Sequence, residues 1–415
     1  MPRKPALGFI FVTLALDIIG IGLIIPILPK LVENFQGGDV VAASHTFGWL
    51  AALYSLMQFI FAPLLGSLSD RFGRRPVILA SLLGSGLDYF LLAFAPNLTW
   101  FFVGRIIAGV TGANYAAATA YIADVSPPEK RAANFGLIGA AFGLGFIVGP
   151  AMGGVLGDLG LHVPFLAAGG LTLLNWLYGW FVLPESLARE NRRAFSWAKS
   201  NPIGLLADLR RQPTVFRLAG SHFLIYFAHQ VFPSIWVLYT SHRYGWNATQ
   251  TGLSLALTGL TFAIVQAGLT PHIVRHLGEK WSLAIGLTIS IAAYTAYGLA
   301  PQGWMIYPII VFGSLGVIAG PALQAIVSKE VGPDQQGEVQ GALTSLTGLA
   351  GIMGPPAATA LFAYFVNPAV EPHMPGAAFF FSGLLTAGAL YITIRSFRAH
   401  HAPEPMPAVT EADPA

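Results

Sequence analysis

Long apolar stretches separated by short polar turns run along the chain from residue 7 to residue 396. Twelve can be distinguished, near 7–29, 46–68, 76–95, 99–123, 132–157, 163–183, 214–240, 248–272, 281–300, 304–328, 337–364 and 374–396. Each is about as long as the ~20 residues an α-helix needs to cross a bilayer core. Their apolar character is continuous, whereas the strands of a membrane barrel would alternate over ~10 residues. The pattern predicts an all-α integral membrane protein with twelve transmembrane helices. The first stretch follows Arg3 and Lys4, as in a signal peptide. It is longer than such a peptide, contains Asp17 and lacks a small-x-small cleavage site, so it is expected to stay as a spanning helix.

The polar positions divide the chain. The longest connection, 184–213, is basic and central and leaves six apolar stretches on each side. We expect an N-terminal six-helix bundle over 1–183, a cytoplasmic linker over 184–213, a C-terminal six-helix bundle over 214–398 and a disordered cytoplasmic tail over 399–415. The halves also resemble each other. "EKRAANFGLIGAAFGLGFIVGP" (129–150) aligns with "DQQGEVQGALTSLTGLAGIMGP" (334–355) at a constant offset, so that Gly136 meets Gly341 and Gly149-Pro150 meets Gly354-Pro355. Two pseudo-symmetric bundles from one duplicated unit suit a transporter that rocks about a midplane cavity. A receptor or a membrane enzyme has no need of the duplication.

Composition sharpens this picture. The chain is 54% hydrophobic and 10% charged, with a mean hydropathy of +0.63. A soluble domain is about 25% charged. Without cysteine there are no disulfides and no thiolate metal sites. The net charge of +3 comes with no basic stripe interleaved with aromatics, so no nucleic-acid partner is expected. With the N-terminus in the cytoplasm, about nineteen of the 22 basic residues lie inside, as the positive-inside rule requires. Lys30 and Arg243 fall outside and Arg105 lies within a helix. Both termini are therefore expected in the cytoplasm, with the chain in the inner membrane.

The turn "GSLSDRFGRRP", 66–76, gathers four charges between two apolar stretches. Arg71, Arg74 and Arg75 fix orientation, Gly73 supports a tight turn and Pro76 suits the first turn of a helix. Orientation alone does not explain Asp70. The order Gly66-x-x-x-Asp70-Arg71-x-Gly73-Arg74-Arg75 resembles the signature loop of the major facilitator superfamily. That resemblance implies that Asp70 meets a helix N-terminus of the other half and helps hold an outward-facing state. Asp124 and Arg131, across the next cytoplasmic turn, are candidate partners.

In the fifth stretch Gly139 and Gly143 are four apart, and Gly145, Gly149, Gly153 and Gly157 form a second four-spaced row. Small residues so spaced let helix backbones approach closely. Gly149-Pro150-x-x-Gly153-Gly154 also resembles the antiporter motif of the superfamily, which implies exchange rather than symport.

Ionisable groups inside the membrane are costly and point to function. Asp17, Asp88 and Arg105 stand well inside the N-terminal half. Counted from the outer helix ends at ~1.5 Å per residue, Asp88 and Arg105 lie at nearly one level and Asp17 near mid-membrane. Two acids and an arginine suit proton coupling, while a static Asp88–Arg105 ion pair is the structural alternative. The C-terminal half has no acid well inside a helix. It offers His229 and Gln230 before a proline kink at Pro233, with His229 either a group that titrates or hydrogen-bonds the cargo or a structural histidine. Gln58 and Asn114 are further candidates for the cavity wall. Trp236 and Tyr239 could line the cavity or mark the membrane interface, and the interface is the preferred expectation.

Longer stretches, among them "LDIIGIGLIIPILP", "GRIIAGVTGA", "VSKEVGPDQQGEVQGALTSLTG", "RYGWN" and "GEK", resemble the bacterial tetracycline efflux family. The resemblance implies export of a tetracycline–divalent cation complex, with Mg²⁺ carried as cargo, in exchange for protons. It assigns roles to Asp17, Asp70, Asp88 and Arg105. It also implies a transporter rather than an enzyme, driven by the proton gradient, without a resident cofactor or metal, and monomeric. Counting from "GWN" and "GEK", the family's helix 8 histidine and helix 9 aspartate fall on Phe262 and Ser290. An exporter of another amphipathic antibiotic or metabolite is the alternative, with a proton-linked uptake symporter behind it.

Overall fold

In the computed structural model, which describes residues 7–113, 115–127, 130–192, 213–332 and 335–399, all regular structure is helical. Eleven helical stretches among these residues are long and apolar enough to span a membrane. The longest, Ala248–Leu299, holds two of the expected spans, because Gly278 turns to φ 75°, ψ 164° and breaks it. The tail 400–415 and most of the central linker, 193–212, lie outside the described residues.

The N-terminal bundle contains α1 (Leu7–Ile24), the short α2 (Leu28–Phe35), α3 (Val40–Phe72), α4 (Arg74–Ala93), α5 (Leu98–Gly112), α6 (Tyr115–Val125), α7 (Arg131–Leu159) and α8 (Val163–Val182). The C-terminal bundle contains α9 (Pro213–His229), α10 (Val231–Tyr244), α11 (Ala248–Ile264), α12 (Thr270–Leu299), α13 (Ile306–Ser314), α14 (Ala319–Lys329), α15 (Gln336–Val366) and α16 (Ala377–Ala399). Several spans are thus broken helices, and the breaks have local causes. Pro26 follows the end of α1, and Pro29 sits in the first turn of α2. Pro233 has no N–H to return to the His229 carbonyl, and the helix is interrupted between α9 and α10 at Gln230.

Each bundle is held by apolar clusters toward its two ends. Ile10, Leu14, Ile18 and Tyr121 pack near the 66–76 hairpin, and Leu23, Ile27, Leu50, Phe101 and Phe165 at the far end. In the other bundle Leu283, Leu287 and Leu323 form one cluster and Ile235, Tyr239, Phe362 and Phe379 another. Large apolar side chains such as Leu87, Phe94, Phe181, Leu299 and Leu384 are left exposed along the outer faces, where lipid covers them.

The glycine rows of α7 face two ways. Gly145, Gly149 and Gly153 press on α1, against Ile18, Gly22 and Leu23. Pro150 and Gly154 press on α11 of the other bundle, against Gly252, Ala248 and Thr249. The second junction joins α3 to α15, with Gly48 against Pro356 and Thr359. The far end is therefore closed by packing across the bundles. Toward the hairpin end of α7, a Cβ at Gly136 or Gly139 would meet nothing within 4 Å among the described residues.

Candidate functional site

Between the bundles lies a cavity of about 600 Å³. From the N-terminal side Asp17 of α1, Tyr54 of α3, Asp88 and Tyr89 of α4 and Arg105 of α5 line it. The three intramembrane charges read from the sequence therefore share one chamber, and all three are buried. The Arg105 guanidinium lies over the Tyr54 ring at 5.7 Å from its centroid. No hydrogen-bonded ion pair joins Asp88 to Arg105. Both Asp88 carboxylate oxygens and the Arg105 Nε are buried with no hydrogen-bond partner among the described residues. A side chain at Gly104 would crowd Asp88 Oδ1, so this glycine leaves the acid its place beside Arg105. The static pair considered from the sequence is not the arrangement seen. An acid and a base face the same space without neutralising one another through a bond.

The opposite wall is aromatic. His229 ends α9 and faces the cavity beside Phe232, with ring centroids 5.6 Å apart. Phe232 is packed among Trp236, Tyr294 and Tyr297 at centroid distances of 5.3–5.6 Å. Phe262 and Ser290 both line the same chamber. The two positions at which the chain departs from the tetracycline-efflux pattern are therefore cavity positions. Among the described lining residues, this wall presents imidazole, hydroxyl and aromatic groups and no carboxylate.

Several expectations need correction. Gln58 donates to the Tyr54 hydroxyl at 2.8 Å and is not among the lining residues. Gln230 packs against Gly351 and Gly354 of α15 and is not among the lining residues. Asn114 and the Arg131 side chain lie outside the described residues. Trp236 and Tyr239 are core residues, not interfacial ones. Trp236 lines the cavity and donates through Nε1 to Ser254 at 3.0 Å, and the Tyr239 hydroxyl donates to the Tyr297 carbonyl at 2.6 Å.

The charged hairpin forms a second constellation. Gly73 has φ 106°, a backbone region glycine adopts without strain. It also leaves room for Glu185, whose carboxylate accepts from the Arg74 and Arg75 amides at 2.9 and 3.3 Å and so caps α4. Arg74 reaches Asp70 at 2.5 Å and Asp124 at 3.2 Å, and Asp124 accepts from Ser186 at 2.9 Å. Asp124 thus contacts the hairpin. Asp70 is paired within its own bundle here, not with the helix of the other half that the resemblance implied. On this stretch of α7, Gly143 meets Ala263 of α11, while Gly136 and Gly139 face open space among the described residues. Arg75 donates to the Trp180 carbonyl, while Arg71 extends over Phe72.

Sequence reading missed Glu185, although it stands directly after the sixth span in "PES". It also missed what Lys30 and Arg243, the two exceptions to the orientation rule, do at the far end. Both satisfy backbone carbonyls there: Lys30 that of Trp246, and Arg243 those of Leu299 and Ala300 at the end of α12.

Comparison with known proteins agrees with this architecture. The family model described as Major Facilitator Superfamily matches residues 10–355. The chain belongs to the major facilitator superfamily. Within the superfamily it is 44% identical over 363 residues to the class C tetracycline resistance protein of Escherichia coli, covering 88% of this chain and 91% of that protein. The class G tetracycline resistance protein of Vibrio anguillarum is 41% identical over 351 residues, covering 84% and 88%. Among solved structures, the human organic anion transporter MFSD10 (TETRAN) superposes with a TM-score of 0.70 at 25% identity, covering 94% of this chain and all of that one. The protein is a multi-pass membrane transporter of the superfamily's drug-transporting kind, acts on small molecules and is not an enzyme.

Proposed function

We propose that this transporter exports a tetracycline, carried as its divalent-cation complex, out of the cell in exchange for protons. It does so by alternating access in the inner membrane, as a monomer with both termini in the cytoplasm. The observation that carries the reading is the meeting of Asp17, Asp88 and Arg105 in one cavity between the bundles. An uncompensated charge at membrane depth costs ~2.5–3.5 kcal/mol or more. A proton taken from outside neutralises an acid and relieves that cost. Release of the proton inside, when the cavity opens there, leaves a carboxylate available to the cationic drug–metal complex. The aromatic wall supplies flat apolar surface for a fused-ring drug. The proton gradient is the energy source, Mg²⁺ is cargo, and no resident cofactor is required.

The gating reading rests on the hairpin. Asp70, held by Arg74 in the present state, would exchange that partner for the other bundle when the cytoplasmic end closes. Arg71, Arg75, Asp124 and Arg131 would reorganise with it.

A second reading has an observation of its own. Phe262 and Ser290 face the cavity where the tetracycline-efflux pattern has a histidine and an aspartate. A cationic complex gains less from this wall, and another amphipathic compound, recognised through His229, gains more. Susceptibility testing in a pump-deficient host separates the two. Protection against tetracycline, together with tetracycline uptake into inverted vesicles that weakens as Mg²⁺ is withdrawn, supports the first. Protection against a different amphipathic drug, with no tetracycline effect at equal expression, supports the second.

A further inference from the structure

We infer that Asp158 and Lys30 are positioning residues of the transport cycle, forming a clasp that holds the far end of the bundles shut. An α-helix opens with four amides that have no carbonyl of their own to meet. In α11 all four can be traced. The Asn247 amide donates to the Gln250 side chain at 3.1 Å, and the Gln250 amide donates to the Asn247 side chain at 2.8 Å. The other two come from Ala248 and Thr249. They donate to Oδ1 and Oδ2 of Asp158 at 3.2 and 3.3 Å. Half of the helix's free donors are therefore satisfied by a carboxylate from the opposite bundle. The charge also sits at the favourable end of the helix dipole.

Lys30 grips the same turn. Its Nζ donates to the Trp246 carbonyl at 2.9 Å. An acceptor and a donor of the N-terminal bundle thus hold residues 246–249 by backbone groups alone. The spacing along α7 makes this possible. Pro150, Gly154 and Asp158 are four apart and share the face turned to α11. A side chain at Gly154 would strike the Ala248 carbonyl, so glycine there brings the helices close enough for Asp158 to reach the amides. The Asp158 and Lys30 bonds all cross between the bundles at the end away from the hairpin, and every one must break when that end opens. The clasp is the counterpart, at the opposite end and in the opposite state, of the role proposed for Asp70.

The inference presupposes that the bundles rock. Its test involves neither cargo nor protons, so the proposed drug exchange can fail while the clasp stands, and the reverse. The native chain has no cysteine, and Phe94 and Leu299 are exposed at the far ends of α4 and α12. Nitroxide labels at Phe94→Cys and Leu299→Cys report the far-end distance in the full chain in liposomes by double electron–electron resonance. Asp158→Ala is expected to raise the far-end-open population about two- to thirtyfold, the range for losing a helix cap. Asp158→Glu, which keeps both acceptors, restores the closed population. Ala248→Pro removes one donor at a position that accommodates proline, since Asn247 is already extended at ψ 178°. Combined with Asp158→Ala, it adds less than it does alone. Lys30→Met shifts the same equilibrium and serves if Asp158→Ala does not insert. Distance distributions unchanged in Ala248→Pro and Lys30→Met, at unchanged helicity, overturn the clasp.

Discussion

Asp88 is the residue whose surroundings speak most directly to chemistry. It is buried, faces the central cavity and has no hydrogen bond to either carboxylate oxygen among the described residues. Replacing it with asparagine removes the charge and keeps the shape. Asp88→Asn is expected to fold and insert normally and to lose at least tenfold in drug-driven proton movement, read with a pH dye in inverted vesicles. Unaltered proton movement would remove Asp88 from the coupling machinery. Glu185 makes a different demand. Its carboxylate satisfies two amides of α4, so Glu185→Ala should destabilise the hairpin by ~0.5–2 kcal/mol, visible as a lower unfolding midpoint in detergent. Gly73→Ala should cost more than Glu185→Ala, because it adds a backbone conformation that itself costs ~1–3 kcal/mol and displaces the same carboxylate.

At the scale of elements, the two faces of α7 predict two kinds of defect. Gly149 touches Gly22 of α1 within its own bundle, whereas Gly154 touches α11 of the other. Gly149→Ala overpacks a bundle core and should lower stability by ~1–3 kcal/mol with both transport states affected alike. Gly154→Ala should leave the unfolding midpoint nearly unchanged and shift the far end toward open, as measured by labelling of cysteines placed along the cavity wall. The reverse assignment of the two effects would show that the rows are misread. The motif glycines were visible in the sequence, but their division of labour was not. Spacing shows which residues share a helix face, whereas the helix that covers the face is set by the fold. The same holds for the clasp and the α4 cap. Asp158 and Ala248, or Glu185 and Arg74, are about 90 to 110 residues apart. Neither pair has a local signature beyond a charge in an unexpected place. The apolar spans and the three buried charges were legible because each is a local property of composition. Gln58, Gln230, Trp236 and Tyr239 were misplaced because helical breaks and rotations decide which side of a span meets the cavity.

The whole molecule is two bundles closed at the far end by packing and by a few backbone-directed bonds, around a chamber whose walls differ in character. The N-terminal wall carries the buried charges, while the C-terminal wall carries rings and one imidazole. Under the proposed exchange, coupling falls to the first bundle and cargo preference to the second. His229→Ala is accordingly expected to raise the apparent KM for the exported compound several-fold while leaving the proton-to-drug ratio intact. A changed ratio would move His229 into the coupling machinery. The central claim is that bundle rocking is tied to proton flow through the acids of the N-terminal wall. Its most direct test is transport by the purified protein in liposomes under an imposed pH gradient. The account predicts accumulation of the carried drug in the acidic compartment, abolished in Asp17→Asn and Asp88→Asn. Transport that proceeds equally with and without the gradient, for a compound the protein demonstrably carries, would contradict it.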